Sequence, residues 1–186
     1  MRICPPFKGA KLSDITQPFG NIQSDGKPHS GTDWAKGYGT WLVAPEDCVV
    51  LIIFNGVVLS ENTDDLRRGY GIRMVSVANP NIHHTYWHCL PVFPVGIGDK
   101  IAQGEEVAQM GNSGFVYAGG QYVPVELRPY PPFPGTHLHQ EMIDNQTGER
   151  FDVTKFIDFS INIKGDAWKE IMAVIMKITN LLKGRK

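Results

Sequence analysis

The sequence predicts a mainly β fold closed by a single C-terminal amphipathic α-helix, and two observations carry that prediction. Short apolar runs rich in β-branched residues recur up to about residue 157, separated by many of the chain's 20 glycines and 13 prolines. From Asp166 onward the apolar spacing changes to that of one helical face. The 186-residue length suits one domain with its own core, and 42% hydrophobic with 20% charged residues is ordinary globular composition.

In chain order, strands are expected in the runs WLVAP (41–45), CVVLIIF (48–54), IRMVSVA (72–78), EEVAQM (105–110) and YVPVEL (122–127), each of strand length with turn-like borders. The segment 96–114, GIGDKIAQGEEVAQMGNSG, sets three turn signals around two short strands, as in a compact hairpin or barrel corner. Tyr, Pro and Gly dominate 115–135, which reads as a long ordered loop. Asp166 then caps a helix whose apolar face is Trp168, Ile171, Met172, Ile175, Ile178, Thr179 and Leu182. That apolar run is about half of the roughly 20 residues a membrane span requires. Residues 164–186 hold six Lys/Arg against Asp166 and Glu170, so the helix is basic: it either packs on the sheet or docks to a partner or an anionic surface.

Charge and cysteine usage exclude several classes. A formal net charge of -1 supplies no field toward nucleic acid. Cys4, Cys48 and Cys89 are odd in number and far apart, which fits neither a disulfide framework nor a thiolate metal site, and leaves room for at most one bridge. The N-terminal MRICPPFKGAKLSD has no apolar run of signal-peptide length, so no secretory signal is expected.

Chemistry concentrates in the histidines. In HSGTD, His29 and Asp33 are separated by two small residues and a glycine, and a tight turn can aim both at one point. In HLH, side-chain alternation along a strand puts His137 and His139 on one face and Leu138 on the other. Either pattern alone is as well explained by exposed polar residues. Together they supply two imidazoles and a carboxylate, the number and kind of protein ligands in catalytic zinc sites. In HHTYWHC, strand parity groups His84, Tyr86 and His88 on one face and sets His83 on the other; His83 and His84 read as structural or solvent-facing.

The ordered set QPFG (17–20), HSGTD followed by WA (29–35), GTWLVAPEDCVV (39–50), YWH (86–88), GDKIAQGEEVAQMGNSG (98–114) and GTHLHQEM (135–142) resembles the lysostaphin-type, LytM-like cell-wall endopeptidases from about residue 15 to 157. The resemblance implies an antiparallel β-sheet or sandwich with a groove for an extended peptide, here occupying 1–163 and followed by the basic helix of 164–186. It implies one zinc ion (Zn2+) per chain on His29, Asp33 and His139. It assigns His137 to water activation and His88 to stabilising the oxyanion, with the peptide of bacterial peptidoglycan as substrate. Tyr86, Tyr117 and Tyr122 are candidate substrate contacts, as are Tyr130 and Phe133 in the loop.

Departures from the family pattern are specific. Cys89 replaces the usual leucine after the Y-x-H histidine, NIQSDGKP (21–28) lacks the tyrosine that some members place before the first ligand, and the 115–135 loop is longer than usual. Action on the cell wall without a signal peptide implies release in phage lysis, a virion-associated enzyme docked through the C-terminal helix to a phage particle or envelope, or export by another route. The competing reading is a non-catalytic relative that binds peptidoglycan or regulates another hydrolase. A biotinyl or lipoyl carrier, suggested by GDKIAQGEEVAQM, lacks the modifiable lysine that such a hairpin needs.

Overall fold

The predicted runs are short and mostly apolar, and in a strand successive side chains point to opposite faces of the sheet. The computed structural model describes residues 1–56, 68–161 and 163. Among them lie β1 (Ile15–Gln17), β2 (Thr32–Trp34), β3 (Trp41–Val43), β4 (Cys48–Asn55), β5 (Tyr70–Ser76), β6 (Ile82–Cys89), β7 (Lys100–Ile101), β8 (Glu106–Gln109), β9 (Tyr117–Ala118), β10 (Gln121–Tyr122) and β11 (Leu138–Asp144). Seven of these form one antiparallel sheet in the order β1-β2-β11-β6-β5-β4-β7, while β3 pairs with β8 and β9 with β10.

The runs at 41–45, 48–54, 72–78 and 105–110 correspond to β3, β4, β5 and β8. The run at 122–127 does not form a strand. It splits into the end of a two-residue hairpin strand, Gln121–Tyr122, and a 3-10 turn at Val125–Leu127, because Pro124 has no N–H to give a ladder and fixes the entry to the turn. The amphipathic helix expected from Asp166 and the domain boundary at 163/164 lie outside the described residues. Among the described residues no helix is long and apolar enough to cross a membrane.

The main core lies where β3 and β8 cover one face of the large sheet. Trp34, Leu42, Val50, Ile72, Met74, Tyr86, Val107 and Leu138 are all buried there in one cluster. Each such apolar side chain contributes roughly 1.5–3 kcal/mol on leaving water. Tyr86 ties the layers together: its hydroxyl donates to the Val43 carbonyl at 2.8 Å and its side chain is fully buried. This corrects the expectation that Tyr86 contacts substrate. His84 faces the same interior, with Nε2 at 2.8 Å from Glu46 Oε1.

Strand parity fails at one position of β6. Between the pairs Tyr70↔Cys89 and Ile72↔Tyr86, Trp87 and His88 stand opposite Gly71 alone, a β-bulge. His88 takes the extra step with φ 61°, a left-handed conformation that costs a non-glycine residue on the order of 1 kcal/mol or more. The bulge turns His88 away from the Tyr86 face, correcting the grouping expected from alternation. A Cβ built on Gly71 would stand 2.5 Å from the Tyr86 carbonyl oxygen and 2.7 Å from Trp87 Cε3, so the partner strand admits only glycine here.

All three cysteines are free and buried. Burial pushes the Cys4 and Cys48 thiols up to about 12 and the Cys89 thiol higher still. Gly71→Ala is expected to destabilise the protein by about 1–3 kcal/mol and lower its melting temperature by several degrees. Circular-dichroism melts check this, and an unchanged midpoint would contradict the close approach of β5 to the bulge.

Candidate metal centre

The site forms on the face of the large sheet opposite the main core, where β2, β11 and β6 run side by side. His139 on β11 is registered against Asp33 on β2 and Trp87 on β6, so the Asp33 and His139 side chains emerge together. His29 comes from the loop before β2, anchored by backbone bonds from His29 N–H to the Asn21 carbonyl (2.8 Å) and from Gly20 N–H to the His29 carbonyl (2.9 Å). The glycine of HSGTD is required by proximity. A Cβ on Gly31 would lie 2.4 Å from the Gln140 carbonyl oxygen and 2.9 Å from His139 Nε2.

His29, Asp33 and His139 offer a compact set of ligand atoms. His29 Nε2 and His139 Nδ1 are 3.0 Å apart, His139 Nδ1 and Asp33 Oδ1 2.8 Å, and His29 Nε2 and Asp33 Oδ1 3.3 Å. The outer nitrogens settle the tautomers. His29 Nδ1–H donates to the Pro18 carbonyl at 3.1 Å, and His139 Nε2 faces Glu141 Oε1 at 3.3 Å. Both inner nitrogens therefore present lone pairs, and with the carboxylate they form three acceptors aimed at one point. A tetrahedral zinc with bonds of about 2.0–2.1 Å needs ligand atoms roughly 3.3 Å apart, close to the spacing found.

Two further imidazoles flank this point. His137 Nδ1–H donates to the Gly135 carbonyl at 2.8 Å, and its Nε2 stands 3.9 Å from Asp33 Oδ2. His88 Nδ1–H donates to the Ser113 carbonyl at 2.7 Å, and its ring centroid is 4.6 Å from that of His137. Ser113 also supports the strained bulge by giving its hydroxyl to the Cys89 carbonyl at 2.8 Å and accepting from Tyr70 N–H at 2.9 Å.

The electrostatics follow from burial and neighbours. Burial alone would raise Asp33, but the close contacts with His139 and His29 and the nearby His137 outweigh it and hold the carboxyl well below the usual range. Burial, with His137 and His139 close by, pushes His88 well below its ordinary value, so it is neutral at pH 7. For His139, burial is outweighed by the Asp33 and Glu141 carboxylates, and its pKa rises.

Sequence reasoning missed Glu141. Its buried carboxylate accepts from Ser30 Oγ (2.8 Å), Arg68 Nη1 (2.8 Å) and Trp87 Nε1 (3.3 Å), and pairs with Arg150 Nη1 at 2.7 Å. The signal was present: Glu141 lies two residues past His139 on a strand, hence on the same face.

A cleft of ≈ 720 Å³ opens over these groups, its lining including Thr16, Gln17, Gln23, Phe115, Tyr117 and Gly119. Of the loop aromatics expected at the groove, Tyr117 lines it. Tyr122 stands behind, its ring 6.1 Å from Tyr117, and Phe133 stacks on Tyr38 at 4.2 Å. Arg128 closes the loop from inside, giving Nε and Nη2 to the Val123 carbonyl, Nη2 to the Tyr122 hydroxyl and Nη1 to the Gly114 carbonyl.

Glu141→Gln tests the outer support with two readouts. Divalent-ion affinity, measured by chelator competition, should fall about 10- to 100-fold. Burial opposes but His139, Arg68 and Arg150 hold the Glu141 carboxyl far below its ordinary value, so its stabilisation is present above roughly pH 4.3 and lost on acidification below it. In acid melts of metal-free protein the wild type should therefore lose stability more steeply than Glu141→Gln.

No curated protein matches this chain. Solved structures share its fold. LytU, the subject of a structural characterization, is 24% identical over 80% of this chain and 87% of its own, with a TM-score of 0.57. The catalytic domain of lysostaphin from Staphylococcus simulans is 18% identical over 76% and 90%, with a TM-score of 0.55. A zinc-containing peptidase from Vibrio cholerae is 19% identical over 89% of this chain but only 40% of its own length, with a TM-score of 0.56. The model of peptidase family M23 matches residues 27–152, the stretch that holds both metal motifs and the bulge, and the chain belongs to that family.

Proposed function

We propose that this protein is a zinc-dependent endopeptidase that hydrolyses peptide cross-links of bacterial peptidoglycan, with residues 1–163 as the catalytic unit. The observation that carries the reading is the convergence of two imidazole lone pairs and a carboxylate beneath an open cleft, with two more imidazoles beside them. Two nitrogens and an oxygen in tetrahedral spacing suit zinc among the common metals. A zinc ion on His29, Asp33 and His139 would supply Lewis-acid activation of water and of the scissile carbonyl.

The remaining steps belong to the chain's own residues. His88 and His137 each commit Nδ1–H to a backbone carbonyl, so each turns an unprotonated Nε2 toward the cleft. His137, beside Asp33, takes the proton from the attacking water and delivers it to the leaving amine. His88 takes a proton from solvent at Nε2 as negative charge grows on the carbonyl oxygen, donates that N–H to the oxyanion, and returns the proton to solvent when the carbonyl re-forms. The cleft wall of Phe115 and Tyr117 contacts the peptide.

Zinc content and wall lysis, measured on the wild type, His139→Ala and His88→Ala, test the assignment. The expected result is about one zinc per chain and lysis in the wild type, loss of both in His139→Ala, and retained zinc with a rate about 10²- to 10³-fold lower in His88→Ala. Zinc without cleavage of any wall type would favour a wall-binding relative, and absence of metal binding would refute the reading. The phage-borne route of delivery rests on the basic 164–186 segment, and detection of the protein in purified phage particles would support it.

A further inference from the structure

Glu141 faces two arginines, although one would balance its charge. Arg68 Nη1 lies 2.8 Å and Arg150 Nη1 2.7 Å from the same carboxylate oxygen. The three groups together carry one surplus positive charge. The two arginines differ in position: Arg68 lines the cleft, and Arg150 does not. Among the described residues Arg68 is the one lysine or arginine on the cleft wall, and Asp33, occupied with the two histidines, is the one acidic group there.

Arg68 is also held in place. Its Cζ sits 5.3 Å over the Trp87 ring, and the Trp87 indole N–H donates to the other oxygen of Glu141 at 3.3 Å. The guanidinium is thus fixed from its face by the indole and from one edge by the carboxylate, with its side chain 27% exposed. Among the described residues the bond to Glu141 is its one polar contact, and a guanidinium offers five N–H groups. A fixed, partly exposed fork in a cleft wall is suited to bidentate binding of a carboxylate. Arg68 is linked to the metal ligands through one carboxylate oxygen and one imidazole, since Glu141 Oε1 lies 3.3 Å from His139 Nε2.

Resting on the peptidase reading, we propose that Arg68 is a substrate-binding residue that takes a free carboxylate of the peptide. The preferred cross-link then carries a carboxylate within about three extended residues of the bond cut, at roughly 3.3–3.6 Å per residue. A diamino-dicarboxylic acid in the cross-link supplies such a group. A bridge of glycines, with no side chains, offers Arg68 nothing.

Two synthetic cross-link peptides, identical except that one bears the free carboxylate and the other the carboxamide, test this by calorimetric binding and by hydrolysis, using zinc-loaded protein. The wild type should favour the carboxylate peptide by about tenfold or more in affinity and in kcat/KM, the scale of one charge-assisted pair. Arg68→Gln should abolish the preference and Arg68→Lys should retain part of it. Arg150→Gln, which removes the other partner of Glu141, should leave the ratio unchanged. Equal affinity for the two peptides in the wild type would overturn the proposal. So would a preference that survives Arg68→Gln, which would put the carboxylate on the metal centre. If neither peptide is cleaved, the peptidase reading fails, while the binding ratio still decides the role of Arg68.

Discussion

Two imidazole lone pairs and a carboxylate within 3.3 Å of one another repel unless a cation lies between them, and much of the local structure serves to hold them there. His29 cannot swing away because its outer nitrogen is tied to Pro18, and His139 is tied through Glu141. Asp33 is fixed by a three-residue strand, β2, between β1 and β11. Close packing of the HSGTD loop onto β11 at Gly31 completes the arrangement. The three ligand atoms so held are a set that could hold a metal ion.

The large sheet keeps two incompatible environments on its two faces. Along β11, Leu138, Gln140 and Met142 turn inward while His139 and Glu141 turn to the cleft, so one strand serves core and site alternately. On β6 the same division would have buried His88 beside Tyr86. The bulge at Trp87 and His88 breaks the alternation once, bringing a fourth histidine to the cleft at the cost of a left-handed residue. Trp87, left on the cleft face, becomes the surface against which Arg68 and Glu141 are ordered.

How much of this was legible in the sequence depended on how local the determinant was. Four strands were readable as short apolar runs between turn residues, and the HSGTD and HLH motifs were readable because residue type and short spacing define them. β1 and β2, at three residues each, carry too short a pattern to detect, although β2 delivers Asp33. Strand parity expects His137 beside His139, and both line the cleft although His137 precedes β11. It misassigned Tyr86 because a bulge is set by the partner strand, here by the missing side chain of Gly71, and leaves no periodic mark. Arg68 reaches Glu141 from 73 residues away, a relation that no window of sequence contains. The 115–135 loop was recognisable by composition, but its closure by a buried arginine on its own carbonyls was not.

The three buried thiols bear on where the protein keeps its shape. None is joined to another, each is shielded from solvent, and burial suppresses the thiolate that oxidants and exchange partners attack. The described fold is closed by packing and backbone pairing, with no covalent link whose formation depends on compartment. The same native structure is therefore available in a reducing cytoplasm, where a chain is made, and in an oxidising exterior, where a wall is met.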